Sequence, residues 1–286
     1  MSLRHAIKTA PQHGEWADFL EVWKAADEID LFEAAWNFDH FYPLTEPFSG
    51  PCLEGWTMLA ALAQATSRIR IGCMVSAMHH RHPAVTANMT ATIDIISGGR
   101  FDLGLGAGWN QMEDEAYGLG LGSIKDRLDR LEEGLAVISS LLSNAETTFR
   151  GRFYQLEKAR CEPKGPQGLP PIVIGGKGKQ RTLRMVAKYA WGWDCMFTPL
   201  DEWRELKEIL VGHCREIGRD PNEITCMSHI RWPASADLGQ LVEQAAAFHE
   251  AGLDLVVWGM GPPYQASRLE SLVKALEPLN PPNPHS

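Results

Sequence analysis

Short apolar runs alternate with amphipathic ones along almost the whole chain, and that alternation limits the folds open to it. The apolar runs fall at 5–9, 32–38, 69–75, 101–106, 172–174, 194–197, 224–230 and 253–258. The stretches that follow them, at 15–29, 54–66, 84–96, 127–142, 179–189, 201–217, 238–251 and 265–276, space apolar residues three and four apart, as one face of a helix requires. In 127–142, for example, Leu128, Leu131, Leu135, Ile138 and Leu142 share a stripe. A hairpin-like pair near 147–156 interrupts the pattern once. Eight strands each followed by a helix predict a parallel sheet closed on itself, a (β/α)8 TIM barrel. A doubly wound open sheet is the other arrangement the alternation allows. No linker or repeat divides residues 1–286, so a single domain is expected, with a disordered proline-rich tail at 278–286.

Composition narrows the partners. A net charge of -9 argues against nucleic acid and anionic membrane surfaces, so a small-molecule ligand is expected, and any anionic group on it must be met by local cations or backbone amides. No apolar run reaches membrane-spanning length and the start, MSLRHAIKTAPQ, is no signal peptide, which predicts a cytoplasmic protein. The six cysteines are scattered without a C-x-x-C pair and read as reduced thiols.

In a barrel, function collects where strands end and loops begin. The richest such place is ISGGRFDLGLGAGWNQMEDEAYG, residues 96–118. Gly104, Gly106 and Gly108 alternate along a strand and out of its end, so one face lacks side chains and something flat or bulky could lie against the backbone. A dinucleotide fingerprint does not fit, because counting from Gly106 puts Gln111 where a glycine is needed. Asp39 and His40 follow the second strand, and His40 is a candidate proton donor or acceptor. His79, His80 and His82 crowd the loop after the third strand, but one loop seldom supplies a metal site and no metal is expected. Arg81 in that loop could meet an anion. After the fifth strand, Gly175, Gly176, Lys177, Gly178 and Lys179 lead through Arg181 into a helix start, an arrangement of small residues, free amides and cations suited to phosphate. It is no P-loop: Val173 and Gln180 occupy positions that motif gives to Gly and to Ser or Thr. Trp191, Trp193, Trp232 and Trp258 flank the last three strands and could form an aromatic pocket.

Taken in order, FDHFYP, RIRIGCMVSAMHHRHP, ISGGRFDLGLGAGWNQMEDEAYG and PPIVIGGKGKQRTLRMVAKYAWGWD resemble the bacterial luciferase-like flavin superfamily, and within it the coenzyme F420-dependent oxidoreductases. The resemblance implies a homodimeric TIM barrel with a flavin or deazaflavin ring in its mouth. It implies a non-prolyl cis peptide at Met74-Val75 backing that ring, with Asp39 and His40 near the reactive edge. It places Gly106, Ala107 and Gly108 beside the cofactor and the amides of Gly175, Gly176, Lys177, Gly178 and Lys179 on its phosphate. In the family's sugar-phosphate dehydrogenases a glutamate aligns with Trp109; its absence here implies a more apolar substrate, with Trp109, Glu113 and His79 as candidate contacts.

The leading expectation is hydride transfer between F420 and a small organic substrate, with His40 relaying the proton and Asp39 orienting it or touching the cofactor. The alternatives are an FMN-dependent monooxygenase on the same barrel and a flavin-binding barrel without activity.

Overall fold

The computed structural model describes residues 3–279. Eight parallel strands close a barrel: β1 (Arg4–Thr9), β2 (Phe32–Asn37), β3 (Arg70–Cys73), β5 (Phe101–Gly106), β8 (Ile172–Gly175), β9 (Gly192–Asp194), β10 (Thr225–Trp232) and β11 (Leu255–Met260), the last pairing back onto β1. A two-residue strand, β4 (Ser76–Ala77), carries β3 onward along β5. The hairpin is β6 (Thr147–Arg150) with β7 (Gln155–Ala159). Helices α1 (Trp16–Glu28), α2 (Gly55–Ala65), α3 (Pro83–Ser97), α5 (Ile124–Ser143), α6 (Thr182–Tyr189), α7 (Leu200–Glu216), α8 (Leu238–Glu250) and α9 (Ser267–Leu276) surround the strands. The expected TIM barrel is therefore the fold.

The helices form because each has a buried stripe and most have a start signal. Ser123 caps α5 by accepting from the Asp126 amide, and the buried face carries Leu131, Leu135, Ile138 and Leu142. Asp237 caps α8 in the same way. Four local readings need correction. The sixth strand runs Gly192–Asp194 rather than 194–197, since Phe197 already has φ 50 and cannot continue a strand. The helix after the fifth strand begins at Thr182 rather than 179, because Gly176 to Arg181 form a loop. Residues 111–117, outside every helix expected from the sequence, form a short helix α4 (Gln111–Tyr117), capped by Asn110 and ended by Gly118 at φ 65. Of the tail, Pro278 and Leu279 are described: the Leu279 amide bonds Leu276 and its side chain packs on the core; residues 280–286 lie outside the described residues.

Side chains alternate between the helix-facing core and the barrel lumen. The lumen is filled by Ala6, Ala34, Trp36, Val173, Met227, Leu255 and Val257. It is sealed at one end by the Arg70–Asp102 ion pair at 2.6 Å, with Trp36 donating to the same carboxylate. At the other end β3 bulges. Three residues (Cys73, Met74, Val75) separate the pairs Gly72↔Asp102 and Ser76↔Leu105, against two on β5. The Met74-Val75 peptide is cis.

This bulge explains the alternating glycines. A Cβ on Gly104 would stand 1.8 Å from the Cys73 carbonyl oxygen, and one on Gly106 or Gly175 would stand 2.8 or 2.9 Å from the Val75 side chain. The space left by the missing side chains is thus filled by the protein's own bulge, and Val75 becomes the floor of the barrel mouth. A Gly104→Ala variant should lose about 3 kcal/mol or more, because the obstacle is backbone that cannot turn aside. Thermal or denaturant unfolding checks this; a variant as stable as the parent would show that the bulge is not seated there.

The candidate active site at the barrel mouth

Three loops meet over the Val75 floor: residues 38–54 after β2, 74–82 after β3, and 107–123 after β5. Their junction is a buried charge cluster. His40 Nδ1 lies 2.8 Å from Glu113 Oε2, and Glu113 Oε1 accepts from the amides of Phe41 and Tyr42. Glu113 is 1% exposed, so the α4 segment reaches across the mouth and clamps the β2 loop. Burial pushes its carboxyl up, but the bonds from His40 and the Phe41 amide outweigh that and hold it below the ordinary carboxylate range. No described residue pairs with His40 Nε2, and Trp109 stands edge-on to the ring with centroids 5.6 Å apart.

Asp39 has a different role. Its carboxylate takes both arms of Arg81, at 2.5 and 3.1 Å, the Trp56 indole at 3.3 Å, and His80 at 3.6 Å. Burial opposes its charge, yet His80 and Arg81 keep it ionised well below the usual range. The carboxylate that orients His40 is therefore Glu113, not Asp39. Arg81 also reaches Glu54 at 2.5 Å and stacks on Trp56, so its charge is committed to two carboxylates rather than open to an anion.

The three histidines diverge. His79 is packed against Gly108, whose absent Cβ would meet the imidazole at 2.5 Å, and lies 3.7 Å from Asp114. Burial, reinforced by His80, lowers its pKa to about 4. His80 stands between Asp39 and Glu113, while His82 caps α3 and meets Tyr154 edge-on. Among the described residues no group of metal-ligating side chains converges. The tryptophans expected as a pocket are elsewhere: Trp193, Trp232 and Trp258 are buried in the core around the barrel, and Trp191 packs at the lumen. The aromatics at the mouth are Phe41, Tyr42, Trp109, Tyr117 and Phe197. Trp109 is 61% exposed and free to meet a ligand. Sequence reading missed Tyr117 and Phe197 because it made neither α4 nor the early end of β9.

At the β8 end, none of the amides from Lys177 to Arg181 donates to another described residue, whereas the Gly176 amide is used by Asp194 O at 3.1 Å. Gly178 is pressed on Thr182, where a Cβ would stand 2.6 Å from the hydroxyl oxygen. The cations point outward to acids: Lys177 to Glu202, Lys179 to Glu205, Arg181 to Asp129 and Glu132. Open amides, not ammonium groups, are thus what this loop offers an anion. A run of unpaired amides beside an apolar floor suits a phosphorylated planar ring.

Two outcomes follow. Glu113→Ala should cost about 2 kcal/mol, because it strands the half-buried His40 ring and two amides, and should hasten proteolysis of the 38–54 loop. Equal melting and cleavage rates would contradict the clamp. His79 and His5, both lowered to about 4 from 6.5 by burial first, are neutral in the folded state, so the unfolded chain binds more protons between those values. Stability should fall as pH drops from 6.5 to 4, and His79→Leu should flatten part of that slope. A slope unchanged by the substitution would show that His79 takes no part.

Residues 1–277 match the family described as luciferase-like monooxygenase. The chain is 28% identical over 72% of its length to the F420-dependent hydroxymycolic acid dehydrogenase of Mycobacterium tuberculosis, and 35% identical over 48% of its length to the pyrimidine monooxygenase RutA of Agrobacterium fabrum. Those matches span 56% and 38% of the relatives' own lengths. A solved F420-dependent secondary alcohol dehydrogenase, in complex with an F420-acetone adduct, shares the fold with a TM-score of 0.86 at 18% identity, covering 98% of this chain and 99% of that one. With the family matched from end to end of the barrel, this chain belongs to the luciferase-like monooxygenase family of oxidoreductases.

Proposed function

We propose that the protein is an F420-dependent oxidoreductase that moves a hydride between the deazaflavin and a small, largely apolar organic substrate. The observation that carries this reading is the His40–Glu113 pair: an imidazole held by a buried carboxylate on one nitrogen, with the other nitrogen unpaired at the mouth. The F420-dependent dehydrogenase named above supports the choice of cofactor.

When bound, the deazaflavin supplies a carbon-centred hydride donor or acceptor. The chain supplies the rest. Open amides at Lys177 to Arg181 would hold the phosphate, with Gly175, Gly176 and Gly178 keeping the approach clear. Val75, seated on Gly106 and Gly175, would back the ring together with Met74, with Ala107 and Gly108 at the adjoining strand end. Glu113 fixes the orientation of His40, so that Nε2 holds or releases the proton that accompanies the hydride. Trp109 and its aromatic neighbours exclude water and favour an apolar substrate. Asp39 acts through position: bound to Arg81, it anchors the loop that carries His40.

A second reading, an FMN-dependent monooxygenase, draws support from the RutA relative, and the amide cradle suits either phosphate.

Turnover with reduced F420 across ketones, enones and imines is expected, and His40→Ala should cut kcat by about 10²–10⁴-fold while cofactor affinity changes little. Equal turnover in the variant removes His40 from the chemistry. Oxygen-dependent turnover with reduced FMN, and none with F420, would establish the second reading.

A further inference from the structure

Across the barrel from His40 lies a second imidazole–carboxylate pair that the proposed chemistry leaves unused. His229 on β10 and Asp194 on β9 both face the lumen at the mouth end, since Met227 and Gly192, two residues before each, line it. His229 Nε2 lies 3.1 Å from Asp194 Oδ1, and both side chains are essentially inaccessible, at 0% and 1%. Nε2 and Oδ1 are thus each other's partner, whereas His229 Nδ1, equally buried, meets no partner among the described residues. A buried polar atom without a partner is costly and uncommon, and Nδ1 requires an explanation. The position supplies one. Asp194 is paired in register with Gly175, at the head of the open amide run, and its carbonyl accepts from Gly176. Lys8 on β1, also lumen-facing, is the third buried ionisable group of this layer and donates to the Met74 carbonyl of the floor at 2.7 Å.

We infer that His229, backed by Asp194, is a ligand-binding residue that accepts a hydrogen bond from an N–H or O–H group of a molecule seated in the mouth. The carboxylate beside Nε2 favours the proton on that nitrogen, which leaves the Nδ1 lone pair as an acceptor. Burial lowers the imidazole's pKa, so the ring stays neutral and keeps that lone pair. Two donors fit the proposed function, on which this inference rests: a ring N–H of the cofactor and a hydroxyl of the substrate.

Phe197 packs against the imidazole. It stands edge-on to His229 with centroids 5.5 Å apart, has its outer face under the Arg231 guanidinium at 4.1 Å, and is 39% exposed. Its φ of 50 is one that a bulky residue seldom adopts. On this proposal a ligand reaches the imidazole where this half-exposed ring moves aside.

The test is equilibrium titration of the folded protein with oxidised F420, with FMN, and with an alcohol series in the presence of each cofactor. Histidine-229 variants are compared with the parent. His229→Leu also takes the partner from the buried Asp194 carboxylate, so the free protein should melt lower, and affinities are read at a temperature where it stays folded. Its affinity for the ligand that supplies the donor should fall about tenfold. His229→Asn, which keeps an acceptor near the Nδ1 position, should recover most of that loss. A loss seen with the cofactor alone identifies the ring N–H; one seen only with the alcohols identifies the substrate hydroxyl. Parent-like affinity of His229→Leu for both, with the parent binding cofactor, overturns the inference alone. A parent that binds neither cofactor overturns the proposed function and this inference together.

Discussion

The mouth of this barrel depends on a single packing constraint: the β3 bulge fits only because β5 and β8 carry no side chains beneath it. The Cys73 carbonyl occupies the position of a Cβ on Gly104, and Val75 occupies those on Gly106 and Gly175. Once seated, Val75 forms an apolar floor while Met74 turns its carbonyl to the Lys8 ammonium. The chain then leaves along β4 into the 74–82 loop, which delivers Arg81 to Asp39 and His80 to the space between Asp39 and Glu113. Floor and rim thus share one origin, and a change at a glycine would be felt at His40.

Above that floor the electrostatics are arranged in pairs. Three buried acids at the mouth are each kept ionised by a specific donor set: Asp39 by Arg81 and His80, Glu113 by His40 and backbone amides, Asp194 by His229 and Lys8. The histidines divide by surroundings. His79, shut in against Gly108, is held neutral and serves packing, whereas His40 keeps one nitrogen toward the mouth. This division follows from burial and partners, so three histidines within a few residues of each other need not share a task.

Much of the fold was legible in the sequence because period and punctuation agreed. The 101–106 strand is bounded as expected, and the 127–142 stripe is the buried face of α5. The glycines at 104 and 106 were legible as positions of close approach, but not what approaches them: that the partner is the chain's own Val75 depends on a register shift between strands, which local pattern does not encode. The anion loop was legible as well, though its cations face Glu202, Glu205 and Asp129, and pairings that distant in sequence are set by the helix packing. Glu113 was singled out as a substrate contact from its place after the glycine run. Its part in holding His40 could be seen only with α4 folded across the mouth. Trp232 and Trp258 lie within β10 and β11 rather than beyond them, an odd number of residues from lumen-facing Met227 and Val257, so alternation turns both rings outward into the core.

On the proposed function, a phosphorylated planar ring rests on Val75 with its phosphate on the amides of Lys177 to Arg181. A crystal structure of the protein grown with F420, and a second grown with FMN, measures this most directly. The expected result is one face of the ring against Val75, phosphate oxygens on those amides, and the reactive edge toward His40. A ring bound away from the bulge, or a phosphate held by other groups, would contradict it.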